Sequence, residues 1–299
     1  MGKSAMVIIN PSSGKEEAGE YEKEIRESLK ERYENVTVKH TSGEGDATKF
    51  AKKAGEEKFD LVVALGGDGT VNETVNGLAS FENPPTLGIV PMGTVNDLSK
   101  ALNIPGNPNK AIELLTSGRE KKIDVGIANE RYFTNILGIG RAAKAIHEVD
   151  SEEKSKLGAI AYGIAIGKET LKDDVFSVEI KTDDGEWEGD VSVIIIALID
   201  SLGGLKSVLP EKVIGDGVFH VLAIKRLNIS ELMNMGSSLV FEDIKESDNV
   251  NYFKSKNVSI KALDEYNHGS DVDGEEGPDL PIDLKIYPHH LTVISKNEQ

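Results

Sequence analysis

The sequence predicts an α/β domain built on a parallel sheet, followed by a mainly antiparallel β domain of two packed sheets. Three observations carry that prediction. Short apolar runs alternate with helical charge patterning through the first 125 residues. Polar, glycine-containing loops follow those apolar runs at 10–15, 41–46, 66–70 and 91–97. After Asp124 the rhythm changes to strand-like runs joined by turn chemistry such as "DDG" (183–185) and "GDG" (215–217). Strand–helix alternation with β-branched strands buried on both faces is the pattern of a parallel sheet, and consecutive strands separated by short turns that of antiparallel sheets.

In order, the first half reads as strand at "SAMVIIN" (4–10), helix at 16–33, strand at "VTVKHT" (36–41) and helix at 46–57. Strand "FDLVVAL" (59–65), helix "VNETVNGLAS" (71–80), strand "TLGIVP" (86–91) and helix "NKAIELLTSG" (109–118) complete it. In the second half "RYFTNIL", "VFSVEIKT", "GEWEGDVSVIIIALID", "GVFHVLAIK" and "NVSIKAL" read as single strands, with helices over roughly 141–172 and about 230–246 from apolar periodicity. The stretch "SGREKKIDVGI" (117–127) is the expected boundary, giving domains 1–125 and 126–285. The tail "PIDLKIYPHHLTVIS" holds two further short strands, and its return to the first domain (about 286–299) stays open.

Composition narrows the function classes. Acidic residues outnumber basic ones 51 to 34, for a net charge of −17. That excludes the basic footprint of a general nucleic-acid binder and leaves membrane contact local or transient. With no cysteine, disulfides and thiolate metal sites are out. The N-terminus lacks a cleavage-site pattern, and "LGAIAYGIAIG" (157–167) falls far short of the ~20 apolar residues of a spanning helix, so a soluble cytoplasmic protein is expected. That stretch reads as a buried helix, with an acyl-chain wall as the alternative.

The chemistry concentrates in two loops. "LGGDGTVNE" places Gly66, Gly67 and Gly69 around Asp68, with Thr70 after them. Glycines opening a helix clear the backbone for an anion and tolerate positive φ, so its N–H groups converge on phosphate. A carboxylate sits badly beside phosphate unless Mg²⁺ lies between them. Asn72 and Glu73 are placed in the first helical turn, facing the same ligand. "PMGTVNDLS" repeats the design one strand later with Gly93, Thr94, Asn96 and Asp97. Alone, either loop is an ordinary strand–turn–helix junction or N-cap. Two after neighbouring strands point to phosphate. Decoys are weaker: "GIGRAA" (138–143) falls after the α/β rhythm has ended, and "PSSGKEE" lacks the upstream glycine of a P-loop. The six histidines show no zinc-ligand spacing.

"GGDGTVNETVNGL" and "PMGTVNDLSKALNIP" together resemble the signature segments of the diacylglycerol kinase catalytic family, in its soluble bacterial form. "NPSSGK" (10–15), "TSGEGDATKFAKKA" (41–54) and "DVDGEEG" (271–277) resemble its remaining motifs, in the family's order. The resemblance implies an NAD kinase-like first domain and ATP contacts at Asn10, Pro11, Ser12, Ser13, Gly14 and Thr41. Further ATP contacts fall at Gly66, Gly67, Asp68, Gly69, Thr70, Val71, Asn72 and Thr94. It implies Glu275 as the general base on a lipid hydroxyl, with Asp68 and Asp124 in an active-site metal and hydrogen-bond network. "LPEKVIGDGVFHV" is similar to a structural Mg²⁺ loop, which places the Val213 and Val218 carbonyls and the Asp216 carboxylate on that ion. Gly215 stands there in place of an acidic or amide residue, and Leu205 in place of a phenylalanine.

The implied activity is ATP- and Mg²⁺-dependent phosphorylation of diacylglycerol or a related lipid alcohol, with one catalytic and one structural ion. The lipid would be met transiently at the membrane surface by a cytoplasmic protein. "SGREKK" (117–122) with Arg141 and Lys144 is a candidate docking face, and a homodimer is compatible with the resemblance. Two alternatives stand: a soluble-substrate kinase of NAD kinase type, and a non-catalytic nucleotide or lipid sensor. Around Glu275, acidic residues crowd 264–284 without any Lys or Arg, which alone reads as a solvated loop.

Overall fold

The computed structural model describes residues 2–14, 17–140, 175–202, 205–206, 213–225, 250–265 and 268–296. The expected helices at 141–172 and 230–246, the 157–167 stretch, Arg141 and Lys144 lie outside them. By contacts the chain divides into two compact units, Met1–Val125 with His289–Gln299, and Gly126–Pro288.

The first unit opens with β1 (Ser4–Ile9), a 3₁₀ turn at Ala18–Tyr21, α1 (Glu22–Leu29), β2 (Asn35–His40) and α2 (Asp46–Glu56). β3 (Leu61–Gly66), α3 (Asp68–Leu78), β4 (Thr86–Pro91), α4 (Asp97–Ala101) and α5 (Pro108–Ser117) follow. The strands form the parallel order β2-β1-β3-β4, with Val7 beside Val38 on one side and Val63 on the other. Every residue of β3 and all but the first of β1 are buried, because helices cover both faces of a parallel sheet. The helices turn matching stripes inward: Ile25 and Leu29 from α1, and Ala47, Ala51 and Ala54 from α2. In α5, Pro108 occupies the first turn, and the Asn107 side chain accepts the Lys110 N–H as an N-cap.

The chain passes to the second unit within β5 (Arg119–Ala128), continuing through β6 (Arg131–Phe133), β7 (Ile136–Ile139), β8 (Phe176–Thr182), β9 (Gly185–Val191) and β10 (Val193–Ala197). Then come β11 (Ser201–Leu202), β12 (Leu205–Lys206), β13 (Phe219–Ile224), β14 (Val250–Ser255), β15 (Asn257–Ala262), β16 (Ser270–Val272), β17 (Glu275–Glu276) and β18 (Ile282–Ser295). One sheet is antiparallel throughout, in the order β14-β13-β10-β7-β16-β17. A second antiparallel layer runs from the first half of β18 through β15 and β8 to β9. Their inner faces share one core: Val178, Ile180, Val258 and Ile260 meet Leu137, Ile194, Ile196 and Val221, with Phe133 stacked on Phe219 at 5.8 Å.

Several local expectations need correcting. "GEWEGDVSVIIIALID" is not one strand: it breaks at Ser192, whose N–H and hydroxyl donate to the Ile224 and Lys225 carbonyls. The polar half, β9, is a hairpin partner of β8, while the apolar half, β10, lies between β13 and β7 in the other sheet. The tail is a single 14-residue strand rather than two. Most of "SGREKKIDVGI", the expected boundary, is strand β5. "RYFTNIL" forms two strands, and β14 was not anticipated.

Candidate active site

In the first unit the polar loops sit at the carboxyl ends of parallel strands. The Asn10 N–H donates to the Leu65 carbonyl, Thr41 N–H to Ile9, and Met92 N–H to Gly66, so the strand ends are held in register. Ligands of open α/β sheets bind at this end. A cavity of about 400 Å³ lies there, lined by Asn10 and Ser12 from the first loop, Thr41 from the second, and Gly69 and Thr70 from the first turn of α3. Asn10 organises one wall: its amide donates to Thr70 Oγ1 at 3.1 Å, and its Oδ1 accepts the Ser12 hydroxyl at 2.7 Å and the Ser12 N–H at 3.2 Å.

The glycine loop works differently from the sequence reading. Its glycines do not adopt positive φ; Gly67 is an extended N-cap at φ −85°. They allow close approach instead. A Cβ on Gly66 would overlap the Thr70 side chain, and one on Gly93 would lie 2.8 Å from Gly67 Cα, so the two signature loops touch backbone to backbone. α3 begins at Asp68, three residues earlier than expected, which aims the unpaired first-turn N–H groups of the helix out of the loop itself. Asn72 and Glu73 therefore fall in the second turn rather than the first. Asn72 is buried and accepts from the Asn76 amide. The Glu73 carboxylate accepts the Gly45 and Ala47 N–H groups, both at 3.0 Å, at the start of α2.

Asp68 ties the loops together. Its two oxygens accept the Asn96 N–H at 2.7 Å and the Asp97 N–H at 2.9 Å, fixing the entry to α4. Asn96 is held at φ +52°, a conformation asparagine tolerates, with its side chain bridging the Gly93 N–H and carbonyl. Burial pushes the Asp68 carboxyl above its ordinary range; the two N–H donors oppose this and neighbouring Asp97 reinforces it. A cation beside Asp68 would relieve that cost. Asp124, 3% exposed on β5, accepts the His289 N–H at 2.7 Å and anchors the turn of β18 at His289, φ +52°.

Of the other expected ATP contacts, Pro11 lines the cavity, whereas Ser13, Gly14, Gly66, Gly67, Asp68, Val71, Asn72 and Thr94 are absent from its lining. Gly14 takes φ +63° against Met92, Val71 is buried, and Thr94 is exposed in the second loop. Ser42, Gly43 and Glu44 line the cavity and were not singled out, although they continue the loop that Thr41 opens.

In the second unit, Val272 pairs with Glu275 across a two-residue turn, Asp273–Gly274, with φ values of +53° and +89°. This is the Asp-Gly hairpin whose twist matches flanking strands. It sets Glu275 at the head of β17, where its carboxylate pairs with the Arg131 guanidinium; the same guanidinium donates to the Glu276 carbonyl. Asp273 was missed. Its carboxylate accepts three backbone N–H groups, from Thr134 and Asn135 at 3.0 Å and Ile136 at 2.8 Å. Burial nevertheless pushes its carboxyl up to about 6. A second turn carries Val213, Asp216 and Val218: the Val213 carbonyl accepts the Asp216 N–H, and Asp216 Oδ1 accepts the Val218 N–H at 3.3 Å. Gly215 and Gly217, at φ +82° and +79°, shape it.

Comparison with known proteins gives this geometry a family. A diacylglycerol kinase of Bacillus subtilis is 33% identical over 299 residues, covering 99% of this chain and 98% of that protein. A diacylglycerol kinase of Staphylococcus aureus is 34% identical over 303 residues, covering 100% and 94%. The family model for the diacylglycerol kinase catalytic domain matches residues 4–128. The chain belongs to the diacylglycerol kinase family. The model described as the YegS C-terminal NAD kinase beta sandwich-like domain matches residues 135–295. A crystal structure of a diacylglycerol kinase from Bacillus anthracis superposes with a TM-score of 0.79 at 28% identity, covering 98% of this chain and 97% of that one.

A kinase of the diacylglycerol kinase family implies ATP and a divalent metal. Among the described residues no group of three or more His, Asp or Glu side chains gathers around a common point. The 213–218 turn offers hard oxygen donors instead, one carboxylate and backbone carbonyls. That donor chemistry fits Mg²⁺, which takes few protein ligands and keeps several waters.

Proposed function

We propose that the protein transfers the γ-phosphoryl group of ATP to the hydroxyl of diacylglycerol or a related lipid alcohol. The observation that carries this reading is the Asp68 clamp, which locks the two signature loops of a diacylglycerol kinase family chain together at the strand ends, one residue before Gly69 and Thr70 enter the lining of the cavity there. The first unit would bind nucleotide: Asn10, Ser12, Thr41 and Thr70 offer amide and hydroxyl groups, and the first turn of α3 offers N–H donors to phosphate. Mg²⁺, when bound, would neutralise charge on the phosphates; Asp68 retains lone pairs for it, and Asp124 would belong to the same network. Asp216 with the Val213 and Val218 carbonyls would hold a structural ion in the second unit.

Glu275 would take the proton from the lipid hydroxyl as its oxygen bonds to the γ-phosphorus and the bond to the β-phosphate oxygen breaks, releasing ADP. Arg131 orients that carboxylate by gripping the adjacent backbone carbonyl as well. Among the described residues no helix is long and apolar enough to cross a membrane, and we place the reaction at the membrane surface. The test is incubation with labelled ATP, Mg²⁺ and a panel of diacylglycerol, phosphatidylglycerol, ceramide, undecaprenol and NAD. Label in a lipid supports the reading. Label in NAD alone, or in nothing while nucleotide still binds, overturns it.

A further inference from the structure

His220 received no role in the loop resemblance that spans it, yet it is buried to 1% exposure and both ring nitrogens have partners. Nδ1 lies 2.5 Å from the Tyr252 hydroxyl, and Nε2 lies 2.8 Å from Asp216 Oδ2. The strands set this geometry. β13 and β14 pair with Leu222 opposite Tyr252, so Tyr252 is the diagonal neighbour of His220 on the same face. The preceding turn, with glycines at 215 and 217 in left-handed conformations, folds Asp216 back over the ring. Burial, and then the charge of Asp216, raise the Tyr252 phenol above its ordinary value, so it stays an O–H donor. The hydroxyl then donates to Nδ1, which puts the ring proton on Nε2 and directs it at Asp216 Oδ2.

We infer that His220, locked by Tyr252, is a positioning residue that fixes the Asp216 carboxylate for a divalent cation at the 213–218 turn. The inference rests on the structural-ion reading of that turn. The Val218 N–H holds Oδ1 and His220 holds Oδ2, so the carboxylate cannot rotate, and each oxygen keeps a lone pair for the ion. An outer partner of this kind orients a ligand and raises its affinity for metal without touching the metal. A buried histidine spent on one partly exposed carboxylate is otherwise hard to account for: an apolar residue would pack in β13 without a tyrosine to satisfy it.

The test is Mn²⁺ binding to the full chain without nucleotide, read by electron paramagnetic resonance and by calorimetry. The component lost in Asp216→Asn defines the site. His220→Leu should weaken that component by roughly tenfold or more, and Tyr252→Phe by several-fold, in line with outer-partner losses at other metal sites. His220→Gln, whose amide can still donate to Asp216, should recover most of the affinity, which mere repacking of the core would not produce. Tyr252→Phe removes one oxygen and keeps the ring, so it reports even if His220→Leu fails to fold. Wild-type affinity in both Tyr252→Phe and His220→Leu, or in Tyr252→Phe where His220→Leu does not fold, overturns the positioning role while leaving the cation site intact. No Mn²⁺ component sensitive to Asp216→Asn overturns the cation site itself.

Discussion

At the scale of single residues, buried carboxylates organise backbone more than they stand free for chemistry. Asp68 holds two N–H groups and Asp273 three. Asp68→Ala leaves the Asn96 and Asp97 donors without an acceptor, which should cost on the order of 1–3 kcal/mol and weaken ATP binding; thermal denaturation and nucleotide titration measure both. Asp273 makes a pH prediction. Its folded carboxyl lies near 6 against an ordinary 3.8, so the folded state binds the proton more tightly than the unfolded chain does. The contribution is therefore most favourable below about pH 4, is lost as pH rises through 4 to 6, and stays lost above. The swing is about 3 kcal/mol for two units. Asp273→Asn, which cannot ionise, should show a melting temperature that changes less between pH 4 and 6 than that of the wild type. A carboxyl carbon resonance for Asp273 that titrates near 4 would refute the assignment.

At the scale of elements, the parallel half was legible because each strand–helix unit announces itself locally. An apolar run, a polar glycine loop and an inward stripe are all visible within about thirty residues, a span typical of such units. The β half was not, because strand partners there are set by distant residues. "GEWEGDV" and "VSVIIIA" differ in polarity, but only the Ser192 bonds to the 224–225 carbonyls reveal that they belong to different sheets. The tail read as two short strands, yet β18 runs through it unbroken, with His289 anchored by Asp124. The candidate site divides in the same way. Its glycines, Asp68, Glu73 and Glu275 were readable as motif; the roles of Asp273 and Arg131, and the backbone partners of Glu73, depend on residues far away in sequence. Gly67 and Gly93 give a prediction for this scale. Gly93→Ala brings a Cβ within 2.8 Å of Gly67 Cα. It should force the loops apart, cost about 1–3 kcal/mol, and raise the KM for ATP; Gly106→Ala, with open space around it, should do neither.

At the scale of the whole molecule, a net charge of −17 shapes how a kinase of this family would meet its substrate. An anionic bilayer repels such a surface within about a Debye length, ~10 Å at 0.1 M salt, so salt should strengthen docking rather than weaken it. Turnover on vesicles rich in anionic lipid should accordingly rise between low and moderate ionic strength; a steep fall would instead mark a basic docking face. The central claim is that phosphoryl transfer to a lipid alcohol runs through Glu275 as base, on ATP bound by the Asp68-clamped loops. Its most direct measurement is transfer of labelled phosphate from ATP to diacylglycerol by the wild type and by Glu275→Gln, with ATP affinity measured in parallel. The account predicts label in the lipid with the wild type, loss of turnover by about a hundredfold or more in Glu275→Gln, and nearly unchanged ATP affinity. A Glu275→Gln protein that labels diacylglycerol at the wild-type rate would contradict it.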